Sequence, residues 1–290
     1  MLILQERHLA FRLNVQRIQC FFLSKLSSVI STFQQFHTLM FLFLLLVICN
    51  ASVMADNGAL KLTTGAEYIT GDFGGSESVD QLYIPLTAVY STNKYAFRLT
   101  IPFIYLTGPV GTVLSDGTII TGTGSIITEL GMGDVIAGAT YRDVFNTEST
   151  SDVAFDFTAK VKFGTADEDE GLGSGENDYT LQAEVYNFRE RSMLFGILGY
   201  KFRGDPPGDN FDNSLLALIG GNYNLTPELR TGLDFYYQQA LFSGVDEQME
   251  LSAFLRYKIS NTQYMRSYLV KGLSDASPDW GIGVYVTFMQ

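Results

Sequence analysis

The chain has 290 residues, 46% of them hydrophobic and 17% charged, with a formal net charge of −12. An acidic chain of this kind lacks the basic patch that a nucleic-acid partner needs. Its length suits one large barrel or two ordinary domains.

Residues 1–55 differ from the rest. Arg7, Arg12, Arg17 and Lys25 make them basic, and Leu39 to Cys49 is an apolar run too short for a spanning helix, which needs about 20 residues. Val53 and Ala55 then sit as the small residues of a cleavage site, so the segment reads as a secretory signal peptide cut before Asp56. A later start at Met40 and a mitochondrial presequence are the rival readings. The leader holds four of the 19 Lys and Arg and one of the 31 Asp and Glu, leaving 15 bases against 30 acids. Both cysteines (Cys20, Cys49) and both histidines (His8, His37) lie in it. The segment 56–290 therefore has no disulfide framework, no thiol chemistry and no histidine base.

Beyond Asp56 the chain is a series of alternating segments. Strand one is Leu60–Thr70, strand two Gln81–Ser91, strand three Tyr95–Thr107 and strand four Asp134–Val144. The clearest alternation follows. In strand five, Val153, Phe155, Phe157, Val161 and Phe163 oppose Asp156, Thr158, Lys160 and Lys162. In strand six, Tyr179, Leu181 and Val185 oppose Asp178, Gln182 and Glu184. A pleated strand sends successive side chains to opposite faces, so each segment has one greasy and one charged face. Strands seven to twelve are Ser192–Arg203, Ser214–Asn224, Leu229–Leu241, Gln248–Lys258, Tyr264–Gly272 and Trp280–Phe288.

The connections sort by parity. Those after even-numbered strands are mostly short, such as Thr92–Lys94 and Leu225–Glu228; those after odd-numbered strands are mostly longer, such as Gly108–Gly133 and Ala166–Asn177. Outer-membrane barrels have this asymmetry, with tight periplasmic turns and longer outside loops, and their greasy face meets lipid while the charged face lines a lumen. Tyrosines near strand ends, among them Tyr68, Tyr95, Tyr141, Tyr200 and Tyr257, together with Trp280, fit interfacial girdles. The expected fold is all-β, an antiparallel up-and-down transmembrane barrel of about 12 strands over 56–290, with fourteen as the alternative if Gly108–Gly133 hides another hairpin.

Several stretches carry a family resemblance: Gly131-Met-Gly-Asp134, Lys160-Val-Lys-Phe-Gly-Thr-Ala166, Gly171-Leu-Gly-Ser-Gly175 and Gly199-Tyr200. From about Gly131 onward the chain resembles the outer-membrane family named for the meta-pathway of phenol degradation, whose members are usually called transporters. The resemblance implies a porin-like barrel that takes up aromatic or other small apolar compounds. Two departures stand out: many members have a proline where Phe163 or Gly164 stands, and the terminal aromatic Phe288 is followed by Met289 and Gln290.

On the inward face Arg98, Arg142, Asp156, Lys160, Lys162, Glu184, Arg230, Asp234, Glu250, Arg256 and Lys258 are the candidates for a charged eyelet that selects permeants. The bland alternative is that they pair and fill the interior, since twelve strands lie between the filled and the wet barrel sizes. Pro85 and Pro102 face one another if the turn centres on Asn93-Lys94, and two missing N–H donors suggest a kink that admits solute sideways. Its bland alternative is a bulge without a role. Asp167-Glu-Asp-Glu170 lacks the spacing of a calcium loop and reads as a solvated acidic tip. No catalytic site, cofactor or metal is expected. The expected partners are outer-membrane lipid and lipopolysaccharide, the barrel-insertion machinery and a small-molecule solute, in the cell outer membrane. The function expected is a channel for passive uptake, the alternative a non-conducting structural or surface-interaction barrel.

Overall fold

The computed structural model describes residues 58–115, 118–144, 152–206 and 210–290. The leader and the turn expected at 145–150 lie outside the described residues. The strands are β1 (Ala59–Gly71), β2 (Val79–Ser91), β3 (Tyr95–Pro109), β4 (Val113–Ser115), β5 (Thr118–Ile120), β6 (Ile126–Met132), β7 (Val135–Tyr141), β8 (Val153–Phe163), β9 (Asp178–Phe188), β10 (Ser192–Phe202), β11 (Ser214–Asn224), β12 (Leu229–Gln238), β13 (Gln248–Lys258), β14 (Gln263–Gly272) and β15 (Trp280–Met289).

Neighbours in sequence pair antiparallel around the sheet, and β1 pairs with β15 from Lys61–Met289 to Thr70–Trp280, so the sheet closes on itself. Both β6 and β7 lie against β3, one above the other, and act as two halves of one stave. The barrel thus has twelve staves. Closure leaves no sheet edge for lipid to meet, which a spanning sheet requires. Among the described residues no helix is long and apolar enough to cross a membrane; the crossing is made by strands.

The greasy rows face outward. Leu194 and Ile219 are each 61% exposed, Leu233 and Leu269 each 58%. Their strand neighbours Thr158, Lys201 and Gln238 are buried inside the ring. Such a surface is costly in water and favourable in hydrocarbon. Paired aromatics mark the two rims: Tyr68 and Trp280 approach to 5.5 Å at the long-loop end, Tyr95 and Tyr141 to 5.3 Å at the short-turn end. Inside, threonine hydroxyls pair across neighbouring strands, as in Thr63–Thr287 at 2.8 Å and Thr87–Thr100 at 3.0 Å.

The fourth stave departs from expectation. It begins at Ile126, inside the stretch read as loop, because the alternation is interrupted. Tyr95 to Thr100 pair with Tyr141 to Ile136, whereas Phe103 to Pro109 pair with Met132 to Ile126, so the register slips by one residue. Gly133 and Asp134 together oppose Pro102, a β-bulge, and Gly133 N donates to the Pro102 carbonyl at 2.9 Å. Before the bulge, in β6, odd-numbered residues face inward, whereas after it, in β7, even-numbered ones do, which hides β6 from a period-2 reading. The extra hairpin in this loop does exist, as β4–β5, but it forms its own two-stranded sheet and adds no stave.

The proline pair is where the turn arithmetic puts it, with Pro85 opposite Pro102 and both buried on the inner face. The β2–β3 ladder runs unbroken through it from Asp80 to Ser91. A sideways opening between β2 and β3 is therefore not supported; the interruptions lie on the outer flanks of the pair, where the β1–β2 register skips Pro85 and Ile84 opposite Gly65 and Ala66 and where the bulge stands beside Pro102.

Charge on the outer face should be heavily penalised. Ile219→Arg should destabilise the folded barrel by about 2–4 kcal/mol, while Asn222→Arg, on the inner face of the same strand, should cost far less. Urea unfolding in lipid vesicles, read by heat-modifiable gel migration, checks the difference.

Candidate functional site in the barrel lumen

Three cavities lie in line inside the ring. An outer one of about 270 Å³ opens among the long loops and is lined by Phe73, Ile119, Gln239 and Phe242, among others. A middle one of about 350 Å³ has Ile69, Tyr83, Ile104, Ile136, Tyr236 and Val270 in its wall beside the charged Glu67, Asp134, Lys162 and Glu250, with more apolar than polar surface. The inner one of about 710 Å³ lies toward the short-turn end, with Val89, Arg98, Arg142, Asp156, Lys160 and Glu184 in its wall. The outer and middle cavities share Thr118, Ile119 and Gln248; the middle and inner share Tyr83, Ile136, Lys162 and Tyr236. The β4–β5 hairpin is therefore the partition nearest the outside. The second partition is a collar of two tyrosines, an isoleucine and a lysine.

The hairpin is held on two sides. Gln238, 1% exposed, accepts from Lys201 Nζ at 3.0 Å and from the Tyr236 hydroxyl at 2.9 Å, and its amide donates to Thr118 Oγ1 at 2.9 Å. Gln248 extends this chain, accepting from Gln238 at 3.4 Å and donating to Glu250 at 2.6 Å. On the opposite side Ile119 packs into a buried apolar cluster with Phe73, Val79, Ile104, Leu106 and Leu172.

Leu172 belongs to the glycine-rich loop after β8, and its glycines explain how an apolar side chain turns inward there. Gly171 has φ +69°, and a Cβ on it would run into the Thr112 carbonyl. Gly131 is likewise the floor on which the Leu172 side chain rests. Beneath this loop Lys162, 2% exposed, lies 3.1 Å from Asp134 and 3.1 Å from Asp178 and donates to Ser174 Oγ at 2.8 Å. The second oxygen of Asp134 accepts from the backbone of Thr165 and Ala166, and Asp178 accepts from Gly204 N. One ammonium thus ties the bulge, β8, β9 and the glycine-rich loop together. A lysine this deep is tolerable because two carboxylates and a hydroxyl replace its water.

The sequence candidates do not form one ring. Arg98, Arg142, Asp156, Lys160, Lys162 and Glu184 line the inner cavity and Glu250 the middle one. Pro85 lines the inner cavity and Pro102 the middle one. Arg230, Asp234, Arg256 and Lys258 lie on β12 and β13, outside these linings. Asp156 Oδ1 accepts from Asp143 N at 2.8 Å, and Glu184 accepts from Thr158 Oγ1 at 2.6 Å and from the Tyr186 hydroxyl.

A protein-family model described as "Putative MetA-pathway of phenol degradation" matches residues 63–289. The chain belongs to this family. The match starts well before Gly131, so membership extends over nearly the whole barrel rather than its last nine staves. Among solved structures, the COG4313 outer membrane channel from Pseudomonas putida F1 matches with a TM-score of 0.61 at 13% identity, covering 81% of this chain and 96% of that one. The NanC porin matches with a TM-score of 0.51 at 11% identity, covering 78% and 98%. Both are a channel or porin, and the shared fold is that of outer-membrane β-barrels. No curated protein matches the chain.

Within this phenol-degradation family member, charge was the wrong filter for part of the site. Gln238, Thr118 and Ser174 are neutral and Leu172 is apolar, yet they hold the partition. Arg266 on β14 was also missed; parity along Gln263–Gly272 puts it inward, 3.8 Å from Asp234.

Lys162→Met should lower stability by about 3–5 kcal/mol, because it strands two buried carboxylates. Neutralising all three together, with Asp134→Asn and Asp178→Asn added, should recover much of that loss. Urea midpoints of the refolded variants decide this.

Proposed function

We propose that this chain is a channel for passive uptake of small molecules across the outer membrane, with aromatic or other small apolar compounds as its solutes. The observation that carries this reading is the series of in-line cavities inside a closed barrel, with partitions made of a hairpin and a few side chains rather than a packed core. The middle cavity, about 350 Å³ and more apolar than polar, is of a size and character suited to a small ring compound. The phenol-degradation family description supports the same solute class.

The role in transport falls to the lumen residues. Arg98, Arg142, Asp156, Lys160 and Glu184 set the charge of the inner cavity; Lys162, Glu250 and the hairpin control passage from the middle one. We assign no catalysis to the chain: both histidines precede the barrel, at His8 and His37, and the matched folds are channels. Residues 1–55 serve as the export leader, and lipid, lipopolysaccharide and the insertion machinery are the partners of assembly.

Purified protein in a planar bilayer should give single-channel steps, and Gln238→Ala should raise their size or open probability by releasing Thr118 from the wall. Correctly folded protein that stays silent in both forms would instead favour a non-conducting structural barrel.

A further inference from the structure

The register of the last staves brings three arginines side by side. Arg230 on β12 lies opposite Arg256 on β13, and Arg256 lies opposite Arg266 on β14. The row is flanked by Asn224 at one end and Tyr285 at the other, so no carboxylate stands in it. All three positions share the inward parity of Gln238, Gln248 and Val270 but lie near the short turns, where the lumen is more open: Arg230 and Arg256 are half-buried and Arg266 is 44% exposed. Like charges set directly across strands repel, so such a row calls for an anion or abundant water in front of it.

The guanidinium planes are held by rings. Arg256 lies over Tyr264 at 3.8 Å and Arg266 over Phe254 at 4.3 Å. Phe254 has room to lie flat because its neighbour is Gly232, where a Cβ would strike the ring. An arginine stacked on one face keeps its N–H edge for a planar, bidentate partner such as a carboxylate.

The opposite wall carries the same sign. In a twelve-stave ring the third to fifth staves face the ninth to eleventh. Arg98 and Lys160 flank Gly138 on the former, and Arg230, Arg256 and Arg266 occupy the latter. A strand tilt of about 40° brings the two sets to within about three residues in height. Asp156 and Glu184 accept from backbone, Thr158 and Tyr186 donors, which leaves their charge in place, so with Asp234 three acids stand against the five bases just named. Asp234, 3.8 Å from Arg266, is the carboxylate beside the row. A chain with twice as many acids as bases beyond its leader has thus collected positive charge toward the short-turn end of its lumen.

We infer that this basic band toward the short-turn end is a binding track for small organic anions, and that the permeant is an aromatic compound carrying a carboxylate. The inference rests on the channel reading and narrows its solute class. The acidic outer loops do not oppose it, since exposed charge is screened within about 8–10 Å at physiological salt.

Two measurements test it. Reversal potentials under a salt gradient should show anion preference, and Arg256→Gln with Arg266→Gln should reduce the anion-to-cation permeability ratio by about twofold per charge at bulk-like dielectric. Arg266→Lys should keep most of it. Lys271→Gln, which removes the same charge from the exposed outer face of the same strand, should not change it. Saturation-transfer NMR on detergent-solubilised, heat-modifiable protein should show benzoate binding, weak or absent binding of benzyl alcohol, and loss of the benzoate signal in the double variant. Conductance without anion preference, or benzoate binding indifferent to the two arginines, overturns the track and leaves the channel reading intact. Silence in the bilayer with arginine-dependent benzoate binding supports the track and overturns the channel; silence with no binding overturns both.

Discussion

A polypeptide backbone in hydrocarbon must satisfy its own N–H and C=O groups, since no water is there to do so. The pairing of β1 with β15 discharges that obligation for the whole sheet. Once the ring is closed, the period of two along each strand sorts the residues: leucine, isoleucine and aromatic rows go to lipid, and threonine, glutamine and the ionic residues go to the axis. Girdle contacts such as Tyr68 with Trp280 follow from the same constraint, because an amphipathic ring is best placed at the edge of the apolar belt.

Closure also creates an interior that the chain must furnish. Here the upper half is furnished by loops rather than by barrel side chains alone. The β4–β5 hairpin leans on Gln238 through a hydrogen bond and on Leu172 through apolar contact, two unlike attachments on opposite sides. The glycine-rich loop that supplies Leu172 is secured from below by Lys162 between two carboxylates.

Aromatic and basic residues then divide the labour along the axis. The middle cavity is walled by isoleucine, valine and tyrosine together with Glu67, Asp134, Lys162 and Glu250, and nearer the short turns stand arginines laid on rings. Under the channel reading, a solute that has both an apolar ring and a negative group finds a partner at each stage. Weak successive sites are what conduction requires.

Much of the wall was legible in the residues. Alternation along Val153–Phe163 and Asp178–Val185 fixes which side chains share a face, loop parity assigns the two ends, and the sum rule about Asn93-Lys94 places Pro85 opposite Pro102. These are local properties, set by the pleat and by short turns, and they need no knowledge of distant contacts. The bulge at Gly133-Asp134 was not legible, because it reverses the alternation and makes β6 look like loop. Nor was the inward path of the hairpin, or the use of Gln238, Leu172 and Lys162 to hold it, since those contacts join residues from staves far apart in the chain. The sequence by itself determined an alternating, lipid-facing sheet, because a period of two gives each strand one greasy face and the parity of the loops with the aromatics at strand ends assigns that face to lipid. Which inward residues meet across the lumen was decided only by tertiary structure, because that depends on the stagger accumulated around the ring and on where two loops fold into it.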